Sequence, residues 1–234
     1  MTTIDPAVTV AFLVSERPGR ARVFEALGID YCCGGQVPLE DACARKGLDV
    51  SAVAGALVDA AAEDIEDEAD WRAAPLAELC DHIVECHHGY LREELPRLSA
   101  LVEKVARAHA EAHPELLEVE QIFEAIAAEL QGHMFVEENV LFRACRELEV
   151  SMPREVPSLE GPVRAMESDH VATGTGLVRL RTLTADYMPP VGACNSYMAM
   201  LDGLETLERD LHRHIHEENN ILFPRALALQ GVAA

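Results

Sequence analysis

From about residue 70 onward, the apolar and polar positions fall into long helical stretches rich in Ala, Leu and Glu, broken by short segments carrying Pro or Gly. Four helices are predicted. The first runs from Leu76 to about Ala110 and is expected to kink at Pro96. Pro114 opens the second, which runs to about Leu148. The third covers roughly Val163 to Thr184, and the fourth runs from Asn195 to about Leu229, with Pro224 expected to bend it. Ser151 to Pro162, with three prolines, links the two halves, and Asp186 to Gly192 is a Pro-rich turn. Upstream lie short helical patterns punctuated by Pro18-Gly19, Gly28, Gly34-Gly35 and Pro38. That region is about 60 residues, small enough to need a partner surface. An acidic stretch, Glu63 to Asp70, separates it from the long helices as a linker or exposed surface. The expected architecture is all-α: a small helical domain over residues 1–65, then a four-helix bundle over 72–234.

Within the long helices one pattern occurs twice. His133-x-x-x-Glu137 is followed by Leu141-Phe142, and His214-x-x-x-Glu218 by Leu222-Phe223. Residues i and i+4 share a helix face, so each copy aims one imidazole and one carboxylate at the same spot, with apolar side chains packing just beyond. A lone histidine precedes each copy at nearly equal distance: His88 lies 45 residues before His133, and His170 lies 44 before His214. Four helices would thus bring four imidazoles and two carboxylates into one core. The carboxylates can bridge two cations while the imidazoles cap each from outside. This mixed set suits iron better than structural zinc, which favours Cys/His cages. One His-x-x-x-Glu on a helix is ordinarily a solvated pair; two matched copies with matched upstream histidines are not.

Net charge changes the range of partners. At −22, the chain is a poor ligand for nucleic acid or an anionic membrane. No run is long and apolar enough to span a bilayer, and Val8 to Val14 lacks the basic leader and processing site of a signal peptide. Seven cysteines without regular spacing do not resemble a secreted disulfide framework, so a reducing cytoplasm is expected.

Asp30-Tyr31-Cys32-Cys33-Gly34-Gly35 stands out in the first region. Adjacent cysteines close only a strained ring, which favours two nearby thiols or a labile bond over a structural staple. Buried, inert thiols remain the alternative. This motif, joined to a bundle ending in His214-x-x-x-Glu218-Asn219-Asn220-x-Leu222-Phe223-Pro224-Arg225, resembles the repair-of-iron-centres family: hemerythrin-like di-iron proteins linked to recovery of iron–sulfur clusters after nitrosative and oxidative stress. The resemblance covers about Val8 to Ala228.

The resemblance implies a non-haem pair of iron ions, with His88, His133, His170 and His214 as terminal ligands and Glu137 and Glu218 as bridges. It implies Cys32 and Cys33 as redox or iron-transfer thiols, damaged or apo iron–sulfur proteins as transient partners, nitric oxide or oxygen as small ligands, and a homodimer with no patch to name as its interface. Iron supply for cluster repair is the leading expectation. Nitric oxide reduction at the same centre, which would make the chain an enzyme, is a second. Oxygen or nitric oxide binding, as in a carrier or sensor, is a third.

Other residues are expected to play lesser parts. His87, next to His88, is an alternative ligand. Glu85 and Glu167 precede His88 and His170 by three, a spacing used in carboxylate-rich di-iron bundles. Glu85 is expected to be exposed. Glu129, four before His133, is a candidate for support or proton relay. His212 and His216 are expected on the solvent side, His109 and His113 at a surface loop, and His82 packed or partly exposed. Cys43, Cys80, Cys145 and Cys194 are expected to pack ordinarily.

Overall fold

The computed structural model describes residues 4–61, 70–151 and 155–231. The expected boundary near 65 and all of the acidic stretch but Asp70 lie outside them. Helices supply the regular structure, and one antiparallel bridge joins Thr9 to Pro38.

The first module contains α1 (Val10–Glu16), α2 (Ala21–Leu27), α3 (Leu39–Lys46) and α4 (Val50–Ala61). Its core gathers Val10, Leu13, Phe24, Tyr31, Leu39, Val53 and Leu57, and Ile215 from the last long helix completes it. That borrowed side chain is the partner surface the module's small size calls for. The Cys32-Cys33 loop folds back on α1: Ala11 N donates to Gly35 O at 2.8 Å, and Val10 N to Val37 O at 3.0 Å. Gly35 is required by this close approach, since a Cβ there would lie 2.3 Å from Tyr31 O and 2.8 Å from the Ala11 Cβ.

The bundle has four rods. The first is α5 (Leu76–His82), a π-helical segment over Ile83–His88, and α6 (Gly89–His109). Next come α7 (Glu115–Val136), a π segment over Glu137–Leu141, and α8 (Phe142–Val150). The third rod is α9 (Glu160–Leu183). The last joins α10 (Asn195–Glu217), a π segment over Glu218–Leu222, and α11 (Phe223–Gln230). Pro96 lies inside α6, which continues past it to His109. Two boundaries correct the sequence reading. The third rod begins at Glu160, because Pro162 is tolerated in a first turn where no N–H is needed. Pro224 opens α11 directly after the wider π segment, which absorbs the misfit expected from a proline inside an α-helix.

Two apolar clusters fill the bundle. One includes Leu91, Leu98, Phe123, Leu130, Leu177, Leu204 and Leu207. The other includes Leu79, Ile83, Phe142, Met166, Leu222 and Phe223. Along every rod the expected ligand positions fall between members of the two clusters, so the polar layer is sealed from both ends. Complete burial of each such Leu or Phe contributes roughly 1.5–3 kcal/mol.

Fixed contacts hold the rod ends. Glu149 of α8 accepts from Leu76 N at 2.6 Å and Ala77 N at 3.1 Å, placing a carboxylate on the N-terminus of α5. The α9–α10 turn holds Ala185, Asp186 and Tyr187 at φ of 49°, 57° and 58°, unusual for residues with side chains. Burial of Tyr187 beneath the Arg181 guanidinium, 5.0 Å from its ring centre, anchors the turn.

Two glycines in the first module separate crowding from intrinsic helix preference. Gly35→Ala is expected to lower unfolding free energy by about 1–3 kcal/mol. Gly55→Ala, on an exposed face of α4 with nothing near its Cβ, is expected to raise it by roughly 0.4–1 kcal/mol. Urea denaturation of both variants measures the difference.

Candidate metal centre

The four rods bring His88, His133, Glu137, His170, His214 and Glu218 into the sealed layer, all of them buried. The α-helical i, i+4 spacing places each glutamate beside its own histidine, and helix packing adds a second histidine from a neighbouring rod. Glu137 Oε1 lies 2.8 Å from His133 Nε2, and its Oε2 lies 3.3 Å from His88 Nε2. Glu218 repeats the arrangement, with Oε1 3.3 Å from His214 Nε2 and Oε2 3.2 Å from His170 Nε2. Two sets of four donors result. His88 and His214 form one with both carboxylates, and His133 and His170 form the other with the same two. Each carboxylate therefore offers one oxygen to each set.

The donor atoms are poorly satisfied by one another. Both oxygens of each glutamate, His88 Nε2 and His214 Nε2 lack a hydrogen-bond partner although fully enclosed. His133 Nε2 and His170 Nε2 face each other at 3.0 Å. Buried polar atoms are rarely left in this state, and two oxygen and two nitrogen donors per set fit a pair of divalent or trivalent cations. Three of the four outer nitrogens face acceptors, whereas His214 Nδ1 is buried without a partner. His88 Nδ1 lies 2.6 Å from Glu138 Oε1, itself paired with Arg92. His170 Nδ1 lies 2.8 Å from Asn219 Oδ1, and His133 Nδ1 is 3.5 Å from Asp169 Oδ2. Acceptors at Nδ1 fix the tautomer that leaves the Nε2 lone pair facing inward.

Electrostatics push the two carboxyls in opposite directions. Burial first, and the neighbouring Glu218 carboxylate second, push the Glu137 carboxyl well above the usual carboxylate range. Burial also opposes ionisation of Glu218, but His214 and His170 outweigh it and hold that carboxyl well below the range. Burial likewise opposes a charge on His170, and Glu218 overrides it and raises the imidazole.

The cysteine loop sits against this layer. Asp30 accepts from the backbone N–H groups of Cys32, Cys33 and Gly34 at 2.9, 3.0 and 2.8 Å, which sets the loop's shape. Cys33 Sγ lies 3.6 Å from the carbonyl oxygen of His170. Both thiols are free, 3.8 Å apart. The hydrogen bond from Cys32 to Cys33, with burial and Asp30, raises the Cys32 thiol well above the usual range. The same bond lowers Cys33. Cys32 is buried and Cys33 half-buried.

Residues 80–226 match the hemerythrin HHE cation binding domain, and residues 7–61 match a domain of unknown function (DUF542). Iron-sulfur cluster repair proteins named YtfE, from Citrobacter koseri, Escherichia coli and Escherichia fergusonii, are each 39% identical over 211 residues, spanning 90% of this chain and 92% of the relative. The chain belongs to the repair-of-iron-centres family. Its architecture is a hemerythrin-like four-helix bundle preceded by a small helical part, and the bundle is of the class that holds non-haem iron.

The remaining expectations divide. His88 lies in the buried sets, whereas His87 turns away, its Nδ1 2.8 Å from Asp210 Oδ1 and its ring stacked on His214 with centres 5.1 Å apart. Glu85 and Glu167 are exposed and stand outside the donor sets; Glu129 is half-buried near His133, and also outside. His212 and His216 correct the sequence reading. His216 is buried, 3.1 Å from Tyr31 O and 3.2 Å from Ser15 Oγ, and His212 packs edge-on against the Tyr31 ring. Both face the first module rather than solvent, because α10 carries that module on the side opposite its ligands. His109 and His113 are half-buried around the α6–α7 connection. Cys43, Cys80 and Cys145 are buried, but Cys194 is exposed beside His109. The residues missed altogether are Asp210, Glu138, Asn219 and Asp169, which face imidazole Nδ1 atoms. Only Glu138, Asn219 and Asp169 gave a signal, each directly adjoining a predicted ligand.

The asymmetry of the thiol pair has a chemical readout. Limited iodoacetamide treatment, analysed by peptide mass spectrometry, is expected to modify Cys33 at least about tenfold faster than Cys32, with exposure and thiolate fraction acting together. Equal rates would refute the asymmetry.

Proposed function

We propose that this protein holds two non-haem irons in the buried layer and acts in the cytoplasm on iron–sulfur clusters damaged by nitrosative or oxidative stress, supplying iron for their repair. His88, His133, His170 and His214 serve as terminal ligands in this reading, with Glu137 and Glu218 as bridges. The single observation that carries the di-iron assignment is the division of each carboxylate, one oxygen facing each pair of histidines. The relatives' name supplies the link to cluster repair. The proposed organisation is a cysteine-bearing domain over residues 1–65 and an iron-holding bundle over 72–234.

Iron bound there would supply a redox-active Lewis acid with coordination positions left free by only six protein ligands. The protein's own groups do the rest. Two carboxylates offset cationic charge, the Nδ1 acceptors orient the His88, His133 and His170 imidazoles, and the apolar clusters at either end restrict water. Cys32 and Cys33 serve in this reading as transfer thiols for iron, and the half-buried Cys33 beside the His170 carbonyl is the better able to bind departing iron. No described helix is long and apolar enough to cross a membrane.

Anaerobically purified protein is expected to contain about two iron ions per chain, magnetically coupled in Mössbauer spectra, as carboxylate-bridged pairs are. The Glu137→Ala/Glu218→Ala variant should lose them. Protein loaded with ⁵⁷Fe is then mixed with a [4Fe–4S] protein damaged by nitric oxide. Appearance of ⁵⁷Fe in the restored cluster supports supply. Catalytic consumption of nitric oxide without label transfer would favour reduction at the same centre, and zinc or uncoupled iron would remove the di-iron reading.

A further inference from the structure

The bundle carries a second cluster of metal-type donors outside the six residues discussed above. His82, His87 and Glu217 offer Nε2, Nε2 and a carboxylate oxygen within 4.8 Å of one another. Glu217 Oε2 lies 3.5 Å from His82 Nε2 and 3.6 Å from His87 Nε2. His87 is over nine-tenths buried, and its Nε2 has no hydrogen-bond partner, nor has Glu217 Oε2.

These distances matter because an ordinary imidazolium–carboxylate pair closes to about 2.7–2.9 Å. Here the carboxylate oxygen stands 3.5 and 3.6 Å from the two imidazole nitrogens, and all three donors lie within 4.8 Å of one another. Donors placed tetrahedrally around a first-row cation at about 2.0–2.2 Å lie about 3.3–3.6 Å from one another. The spacing thus fits three donors around one ion rather than a pair of mutual contacts.

The surroundings have the organisation of a ligand set. Asp210 Oδ1 holds His87 Nδ1 at 2.8 Å, the carboxylate–imidazole arrangement that orients a ligating histidine. Trp71 lies over His82 with ring centres 4.4 Å apart, and Arg225 of α11 fixes the Trp71 segment by donating to its carbonyl oxygen at 2.6 Å. The three donors line a cleft of about 700 Å³ between the first module and the bundle, shared with Ser15, Tyr31 and Trp71. Solvent can therefore supply the remaining coordination position, as in an open rather than a sealed site.

We propose that His82, His87 and Glu217 form a third cation site, distinct from the buried pair and open to the cleft, for a divalent first-row transition ion. Two imidazoles and one carboxylate suit ferrous iron, cobalt(II) or zinc and are a poor match for magnesium or calcium, which prefer oxygen donors. The site does not depend on what the buried layer holds.

The chain's single tryptophan is a built-in reporter, since Trp71 rests on a proposed ligand. Cobalt(II), a paramagnetic quencher, is titrated into the iron-loaded full chain while tryptophan fluorescence, cobalt content and iron content are followed. One saturable cobalt equivalent per chain, with quenching and no loss of iron, is expected. Glu217→Gln, which leaves the Trp71–His82 stack in place, should weaken that binding at least about tenfold, within the range known for altered metal sites. His82→Ala, assayed by cobalt content, should do the same. Magnesium at the same concentrations should neither bind nor quench. Absence of saturable cobalt uptake, or uptake unchanged in both variants whose helical circular dichroism is intact, would overturn the proposal.

Discussion

Two carboxylates that share the centre of an apolar bundle impose the constraint on which the rest of the structure depends. Glu137 and Glu218 are both 0% exposed, and their oxygens lack hydrogen-bond donors. An isolated ion in such a place costs several kcal/mol even after relaxation, and a second like charge beside it adds to the cost. The neighbouring imidazoles relieve this only in part, since both oxygens of each glutamate still lack a hydrogen-bond partner. Cations placed between them would relieve the rest. The apolar clusters on either side raise the penalty and, by the same exclusion of water, strengthen the attraction for a cation. Stability and cation affinity are therefore coupled through the same six side chains.

The π-helical segments belong to this arrangement. They cover Ile83–His88, Glu137–Leu141 and Glu218–Leu222, each containing or starting at a proposed ligand. A π turn widens the helix and shifts the register of the residues beyond it. On the second and fourth rods that shift comes directly after the ligand pair, so His133-Glu137 and His214-Glu218 keep α spacing while Leu141-Phe142 and Leu222-Phe223 swing into the lower cluster. The ninth-residue phenylalanines then pack against the imidazoles of the other rods: Phe142 stacks on His88, and Phe223 on His170. One local irregularity thus serves both coordination and packing.

Much of this was legible in the sequence because it is local or repeated. The i, i+4 pairs, the Leu-Phe steps and the 45- and 44-residue spacings need only helix geometry and an antiparallel bundle to converge. What needed the structure depends on rotation about a helix axis or on contacts between modules. His87 and His88 differ by a single 100° step, and which one enters the core depends on where the π segment begins. His216 reads as a solvent-side residue from α10 alone, since the Tyr31 carbonyl that engages it is 185 residues away. The cluster of His82, His87 and Glu217 joins the first and last rods of the bundle, 130 or more residues apart in sequence.

The two halves of the repeat match in ligands and differ in what stands behind them. Behind His170 lies the half-buried Cys33 thiol, at the carbonyl of the ligand's own residue. Behind His214 lies His87, stacked face to face and oriented by Asp210. The first module creates the first difference by docking on the last rod, where Asn220 Nδ2 donates to Cys32 O at 2.9 Å and His216 meets Tyr31 O; the second comes from the bundle's own residues. A bundle built from two like halves would otherwise present two equivalent cation positions. Docking one asymmetric module beside one position, and the bundle's own His82–His87–Glu217 cluster beside the other, make them unequal, with a thiol approaching one and an imidazole–carboxylate cluster facing a solvent cleft next to the other. In the proposed reading, where iron is both held and supplied, that inequality would separate the two tasks. The hydrophobic contact of Ile215 with the first module, one residue from His214, is what ties the inequality to the fold.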